Sequence, residues 1–204
     1  ERDIDIDNLV SGRFFHAVMA DERIVNFIAE CGSKIDIEVQ EDEDIARKFK
    51  IKDIVRDVVY NSDNKDILET LKLIELLNTH KYILINMLQR LEIAIAIEIK
   101  YFALTKFMPT FLEKPFSLEI EDNIITCENI ETGEINKKEL LQQYNIPPIR
   151  FVGVIDRVDV LDKNISIIDY KSSQTDFTLD SIELGFISQI LTYALACELM
   201  FDKK

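Results

Sequence analysis

Apolar positions recur at helical spacing over the first half of the chain and alternate in the manner of strands over much of the second. Residues 11–30, "SGRFFHAVMADERIVNFIAE", carry apolar side chains at 14, 15, 18, 19, 25 and 28. That spacing predicts one helix, with Ser11 as its cap and Cys31-Gly32-Ser33 as its end. The acidic run "EVQEDEDIARK" suits the start of another helix, because carboxylates in a first turn meet the positive end of the helix dipole; Ile51, Ile54, Val55, Val58 and Val59 follow it. "NSDNKD" reads as a turn, and residues 65–79 and 81–107 as two further helices. Within the last of these, "IAIAIEIKYF" also alternates as a strand would, so periodicity alone leaves it open.

From Met108-Pro109 onward the pattern shortens into strand-like pieces: "FLEKPFSLEI", "NIITCENI" and a pair inside "GVIDRVDVLDKNISIIDYKSS", residues 153–173. "ETGE" and Pro147-Pro148 punctuate them. "DSIELGFISQILTYALACELMF" then returns to helical spacing. The order predicts an α/β layering, with an N-terminal helical part over residues 1–107 and a sheet with its C-terminal helix over residues 108–204.

The pair of strands holds three ionisable residues where apolar ones are expected. Alternation puts Asp156 in a row with Val152, Val154, Val158 and Val160, and sets Asp169 and Lys171 in a row with Ile165 and Ile167. A two-residue turn at Lys163-Asn164 pairs Val160 with Ile167, Val158 with Asp169, and Asp156 with Lys171, all on one face. Asp156 then lies about 5 Å from Lys171 at Cβ and about 7 Å diagonally from Asp169. Two carboxylates at that spacing can converge on one divalent cation, beside which Lys171 would orient or activate a water. Spacing alone equally allows a structural Asp–Lys salt bridge.

Composition narrows the classes. At 204 residues and 47% hydrophobic, the chain can bury a substantial core as one domain, or as one domain with a helical appendage. The most apolar stretch, "YILINMLQRLEIAIAIEIKYFAL", is broken by Arg90, Glu92, Glu98 and Lys100, which argues against a membrane span. Cys31, Cys127 and Cys197 are too scattered for a disulfide framework or a cysteine metal site and point to a reducing, cytoplasmic setting. A net charge of -14 is awkward for a phosphate-binding protein. Between Arg150 and Lys171, however, Arg150, Arg157, Lys163 and Lys171 balance Asp156, Asp159, Asp162 and Asp169, so that window is neutral. The opening "ERDIDIDNLV", with neither an initiator Met nor a basic-then-apolar leader, leads us to expect a piece of a longer polypeptide.

"GVIDRVDVLDKNISIIDYKSS" resembles the core of the PD-(D/E)xK nuclease superfamily, and its G-x-I-D-R-V-D opening is similar to nuclease domains of the RecB and AddB/RexB type. "GRFFH", Gly12 to His16, resembles the family's G-x-x-x-H helix. "LEKPF" sets Glu113 where the family has a glutamate ahead of its first core strand. "GFISQILTY" resembles the G-x-x-x-Q-x-x-x-Y helix, with Gln189 and Tyr193 four apart on one face. The similarity spans residues 11–200.

The resemblance implies a restriction-endonuclease-like core, a mixed sheet flanked by helices, and an exonuclease dependent on Mg²⁺ or Mn²⁺. Its implied substrate is DNA, single-stranded in particular, cleaved within a helicase-nuclease that serves double-strand break repair and recombination with a partner subunit. Asp156, Asp169, His16 and the Tyr170 carbonyl would hold the metal, Lys171 would position the water, and Glu113 would be a metal-linked or positioning acid. Gln189 and Tyr193 would pack against the sheet and contact the substrate backbone. Arg157, on the face opposite Asp156, is read as structural support or a rim phosphate contact, and His80 as a surface residue. The chain has no C-x-x-C, so the cysteines present do not support the iron-sulfur cluster of many AddB-type domains; either the chain resembles a cluster-free relative of the RexB kind, or the ligands were trimmed away. A CRISPR adaptation nuclease with these motifs would also be expected to carry a cysteine quartet, and a catalytically inactive DNA-binding or scaffolding module would have no need to keep Lys171. Residues 119–147 look longer and more acidic than the family core requires and receive no role.

Overall fold

The computed structural model describes residues 8–35, 41–76, 80–140, 147–170 and 188–201. The chain divides into two compact units, Glu1–Met108 and Pro109–Lys204.

The first unit is helical: α1 (Asn8–Met19), α2 (Glu22–Lys34), α3 (Asp42–Lys48), α4 (Ile51–Tyr60), α5 (Lys65–Glu75) and α6 (His80–Thr105). Where the spacing predicts one helix over residues 11–30, the chain breaks at Ala20-Asp21. Asp21 stops helix propagation by accepting the Arg23 amide at 2.9 Å, so it caps α2, while Ser11 lies inside α1. Gly32 does not end α2 either. It lies within the helix where α2 crosses α6, and a Cβ there would fall 2.6 Å from Phe102 Cδ1 and 3.0 Å from the Ile99 carbonyl oxygen. Glycine is needed for that close approach.

The stretch that could alternate as a strand belongs to α6. Leu88, Leu91, Ile95, Ile99 and Phe102 are among its buried positions and lie three or four apart, as one helical face requires. α2, α3, α4 and α5 all pack against it. Asn64 caps α5 through the Asp66 and Ile67 amides, and Asp42, Glu43 and Asp44 fill the first turn of α3.

The second unit is a five-stranded sheet in the order β3-β2-β1-β4-β5, with a helix packed on it. The strands are β1 (Met108–Glu121), β2 (Ile124–Asn129), β3 (Glu134–Glu139), β4 (Ile149–Leu161) and β5 (Asn164–Ile168), and the helix is α7 (Ser188–Phe201). The three pairings with described register, β1 with β2, β2 with β3 and β4 with β5, are antiparallel. β1 and β2 join through Asp122-Asn123, both at positive φ (50° and 63°), as a two-residue turn of this hand requires.

β3 falls in the segment to which the sequence assigned no role. Its "EINKKE" is exposed along nearly all its length and lies at the sheet edge, where charge, Lys137 and Lys138 included, discourages pairing with another chain. Lys138 reaches back to Glu198 of α7 at 2.6 Å.

Phe116 and Leu118 of β1, Ile125 and Cys127 of β2, and Ile155 and Val158 of β4 form the core with Tyr193, Ala196 and Cys197 of α7. All three cysteines are buried free thiols, and burial pushes Cys127 up to about 11 and Cys197 up to about 12. No helix among the described residues is long and apolar enough to cross a membrane.

Candidate metal centre

The β4–β5 hairpin sets the geometry of the acidic residues, and its turn differs from the sequence expectation. Leu161 pairs with Asn164, so Asp162-Lys163 form the turn in place of Lys163-Asn164. Asp162 has φ 53°, a left-handed conformation that a short polar side chain tolerates best, and this draws the turn one residue earlier. The turn keeps its even length, so each residue keeps its face while the register moves by two. Val158 faces Ile167 and Arg157 faces Ile168, the last rung of the ladder, and Asp169 follows directly after it. The expected register is therefore corrected: Val160 faces Ile165 in place of Ile167, and Val158 faces Ile167 in place of Asp169. Lys171 itself lies outside the described residues.

Asp156 is 8% exposed, on a strand between β1 and β5. Its Oδ2 accepts the backbone N–H of Tyr170 at 2.7 Å, just beyond the last residue of β5. On the neighbouring strand β1, Glu113 adopts φ 49°. For a residue with a Cβ inside a strand this costs about 1–2 kcal/mol, and it turns the side chain out of the regular alternation. The carboxylates of Glu113 and Asp156 offer oxygens within 4.8 Å of each other.

Asp169 is oriented from the helix. Its Oδ1 accepts from Gln189 Nε2 at 3.3 Å; the same nitrogen donates to the Tyr193 hydroxyl at 2.7 Å, and that hydroxyl donates to the Val154 carbonyl at 2.8 Å. Tyr193 is buried, with its ring edge-on to Phe116 at 5.7 Å between centroids. Gly153 leaves room for this packing, since a Cβ there would lie 3.2 Å from the Phe116 ring. His16 is half-buried on α1 of the first unit, and the side chain of His80 lies outside the described residues.

Arg157 is not at a rim. It is 1% exposed, and its Nε and Nη2 donate to the two oxygens of Asp159, each at 2.6 Å, while Nη1 donates to the Tyr170 hydroxyl at 2.6 Å. This excludes the phosphate-contact reading and leaves structural support. Burial raises the Asp159 carboxyl above the usual aspartate range, against the hydrogen bonds and charge of Arg157. From the sequence, Asp159 enters only the charge balance of residues 150–171. The signal was the D-R-V-D spacing, which puts Arg157 and Asp159 two apart on one strand face, opposite Asp156.

The chemistry of the donors fits a hard divalent cation. Carboxylate oxygens suit Mg²⁺, Mn²⁺ or Ca²⁺ far better than softer metals, and two of them within 4.8 Å can share one ion.

A sheet carrying these acids on adjacent strands, with a helix packed across it, is a nuclease core: the chain belongs to the PD-(D/E)XK nuclease superfamily, whose sequence model matches residues 2–204. Its α/β architecture is consistent with the restriction-endonuclease-like fold. Nucleases of this superfamily are generally metal-dependent phosphodiester hydrolases, and some members are inactive. A 63-residue segment is 41% identical to an ATP-dependent helicase/deoxyribonuclease subunit of Streptococcus uberis, covering 30% of this chain and 6% of that protein. The chain thus spans a small part of that relative's length. No solved structure matches it.

Proposed function

We propose that the chain is the nuclease domain of an ATP-dependent helicase-nuclease, a Mg²⁺-dependent exonuclease, with Mn²⁺ as a substitute, that hydrolyses phosphodiester bonds of single-stranded DNA in double-strand break repair and recombination. The observation that carries this reading is the approach of the Glu113 and Asp156 carboxylates to within 4.8 Å, on the adjacent strands β1 and β4, the second of which pairs with the strand that leads to Asp169. Membership of a nuclease superfamily and the name of the streptococcal relative support it.

Asp156 and Asp169 hold the cation, joined by the Tyr170 carbonyl and by His16, whose role rests on the G-x-x-x-H motif. The cation supplies Lewis acidity and neutralises charge that builds on the phosphate. Glu113 steadies the acidic pair from β1, and Lys171 orients the attacking water for in-line displacement. Gln189, exposed near the start of α7, meets the DNA backbone, and Tyr193 fixes its amide. With a net charge of -14, the chain leaves most of the grip on DNA to its partner subunit and to the helicase, in the cytoplasm.

The test is cleavage of linear and circular single-stranded DNA by the full chain with Mg²⁺ or Mn²⁺. The expected result is chelator-sensitive digestion of the linear strand, with the circle resistant, and loss of activity in Asp169→Ala. Absence of cleavage, or cleavage indifferent to that substitution, would contradict the reading.

A further inference from the structure

The buried network behind the acidic cluster has no role in the mechanism above. Arg157 and Asp159 form a two-point ion pair at 1% and 0% exposure on the face of β4 opposite Asp156. Removing two charges from water is costly, and apolar side chains of similar volume often serve the fold as well or better. Stability alone therefore gives a weak reason for the pair. Its geometry offers another. The Arg157 fork is oriented by Asp159 through Nε and Nη2, which aims Nη1 at the Tyr170 hydroxyl, 2.6 Å away. Tyr170 follows the end of β5, where the strand ladder no longer fixes the backbone. Its own N–H reaches through to the other face and donates to Asp156 Oδ2 at 2.7 Å.

The path is a closed ring: Asp156 is bonded along the chain to Arg157, Arg157 grips the Tyr170 phenol, and the Tyr170 amide grips the Asp156 carboxylate. We infer that Tyr170, held by the Arg157–Asp159 pair, is a positioning residue that fixes the Asp156 carboxylate for metal binding. The inference rests on the metal-site reading proposed above. The phenol adds an anchor to a backbone segment just past a strand end, where opening is easiest. The anchored amide then occupies one oxygen of Asp156 and sets the orientation of the carboxylate, as partners behind a ligand do in metal sites.

The experiment uses the full chain and Tyr170→Phe, which deletes one oxygen and keeps the ring. Amide hydrogen exchange at position 170 is read by NMR, and Mn²⁺ binding is read by calorimetry with the metal alone. The expected result is a loss of protection at that amide of about tenfold or more, since its acceptor is charged. Mn²⁺ affinity should fall by about 10- to 100-fold, the usual effect of losing a partner behind a ligand. Exchange across β1 and β2 should not change. The pair Arg157→Met with Asp159→Leu, which removes the grip while keeping the core apolar, should give the same two losses, and adding Tyr170→Phe should make neither larger.

Unchanged protection at position 170 in both variants would overturn the inference, whatever the metal does. Lost protection with unchanged Mn²⁺ affinity would overturn it as well, by showing that the carboxylate does not need the anchor. If the wild type takes up no Mn²⁺, the metal-site reading fails, and the exchange result alone upholds or overturns the anchoring of Asp156.

Discussion

Glu113 on β1 and Asp156 on β4 bring their carboxylates within 4.8 Å of each other, and Glu113 does so from a left-handed backbone conformation. Two acids this close repel when both are ionised, and a divalent cation turns the repulsion into shared attraction. A strained residue that supports such a pair is a reason to look for function there.

Thermal denaturation in the presence of Mn²⁺ or Mg²⁺ should reveal this pair. Ligand that binds only the folded state stabilises by about 2.7 kcal/mol at a hundredfold excess over its Kd, so the wild-type Tm should rise with metal concentration. Glu113→Gln should diminish that rise. A metal-dependent rise of wild-type size in the variant would contradict the role given to Glu113.

Gly32→Ala should destabilise the helical unit. The new methyl would meet Phe102 Cδ1 at 2.6 Å and the Ile99 carbonyl at 3.0 Å, and a carbonyl on the middle helix α6 cannot easily move aside. Overpacking of this kind costs about 1–3 kcal/mol. Urea denaturation followed by circular dichroism checks it, and an unchanged midpoint would show that α2 can shift.

Much of this architecture could be read from the sequence, and the misses have physical causes. Asp156 and Asp169 stood out because they interrupt rows of β-branched residues. Their register was missed by two because apolar alternation fixes the face of a residue, whereas the rung depends on which turn residue accepts positive φ, here Asp162. The break at Asp21 was hidden because apolar positions stay in helical phase across it. β3 could not be recognised from "EINKKE", since an exposed edge strand is held by backbone hydrogen bonds and shows no apolar period. Arg157 and Asp159 looked like surface charge because sequence cannot reveal that two ions are buried together.

Arg157→Leu leaves Asp159 buried without its two-point partner and should cost about 3–5 kcal/mol. Replacing both residues with apolar ones should cost much less. Comparing urea midpoints of the single and paired variants tests this, and equal losses would contradict a burial origin for the penalty.

Acid should weaken α2. Burial works against ionisation of Asp21, but the hydrogen bonds and charge of Arg23 outweigh it and hold the carboxyl below the ordinary aspartate value. A group depressed in the folded state contributes stability that is fully present above about pH 4 and is lost as pH falls through its folded value. Asp21→Asn, which can still accept from the Arg23 amide, should flatten this part of the stability-pH profile, and Asp21→Ala should cost about 0.5–2 kcal/mol at neutral pH. A variant profile parallel to the wild type's below pH 4 would assign the acid sensitivity elsewhere.

Anomalous diffraction from crystals of the full chain soaked in Mn²⁺ tests the central claim most directly. The expected result is a peak about 2 Å from an Asp156 carboxylate oxygen, with a second carboxylate in its shell. A structure at saturating Mn²⁺ in which Asp156 binds no ion would contradict the account.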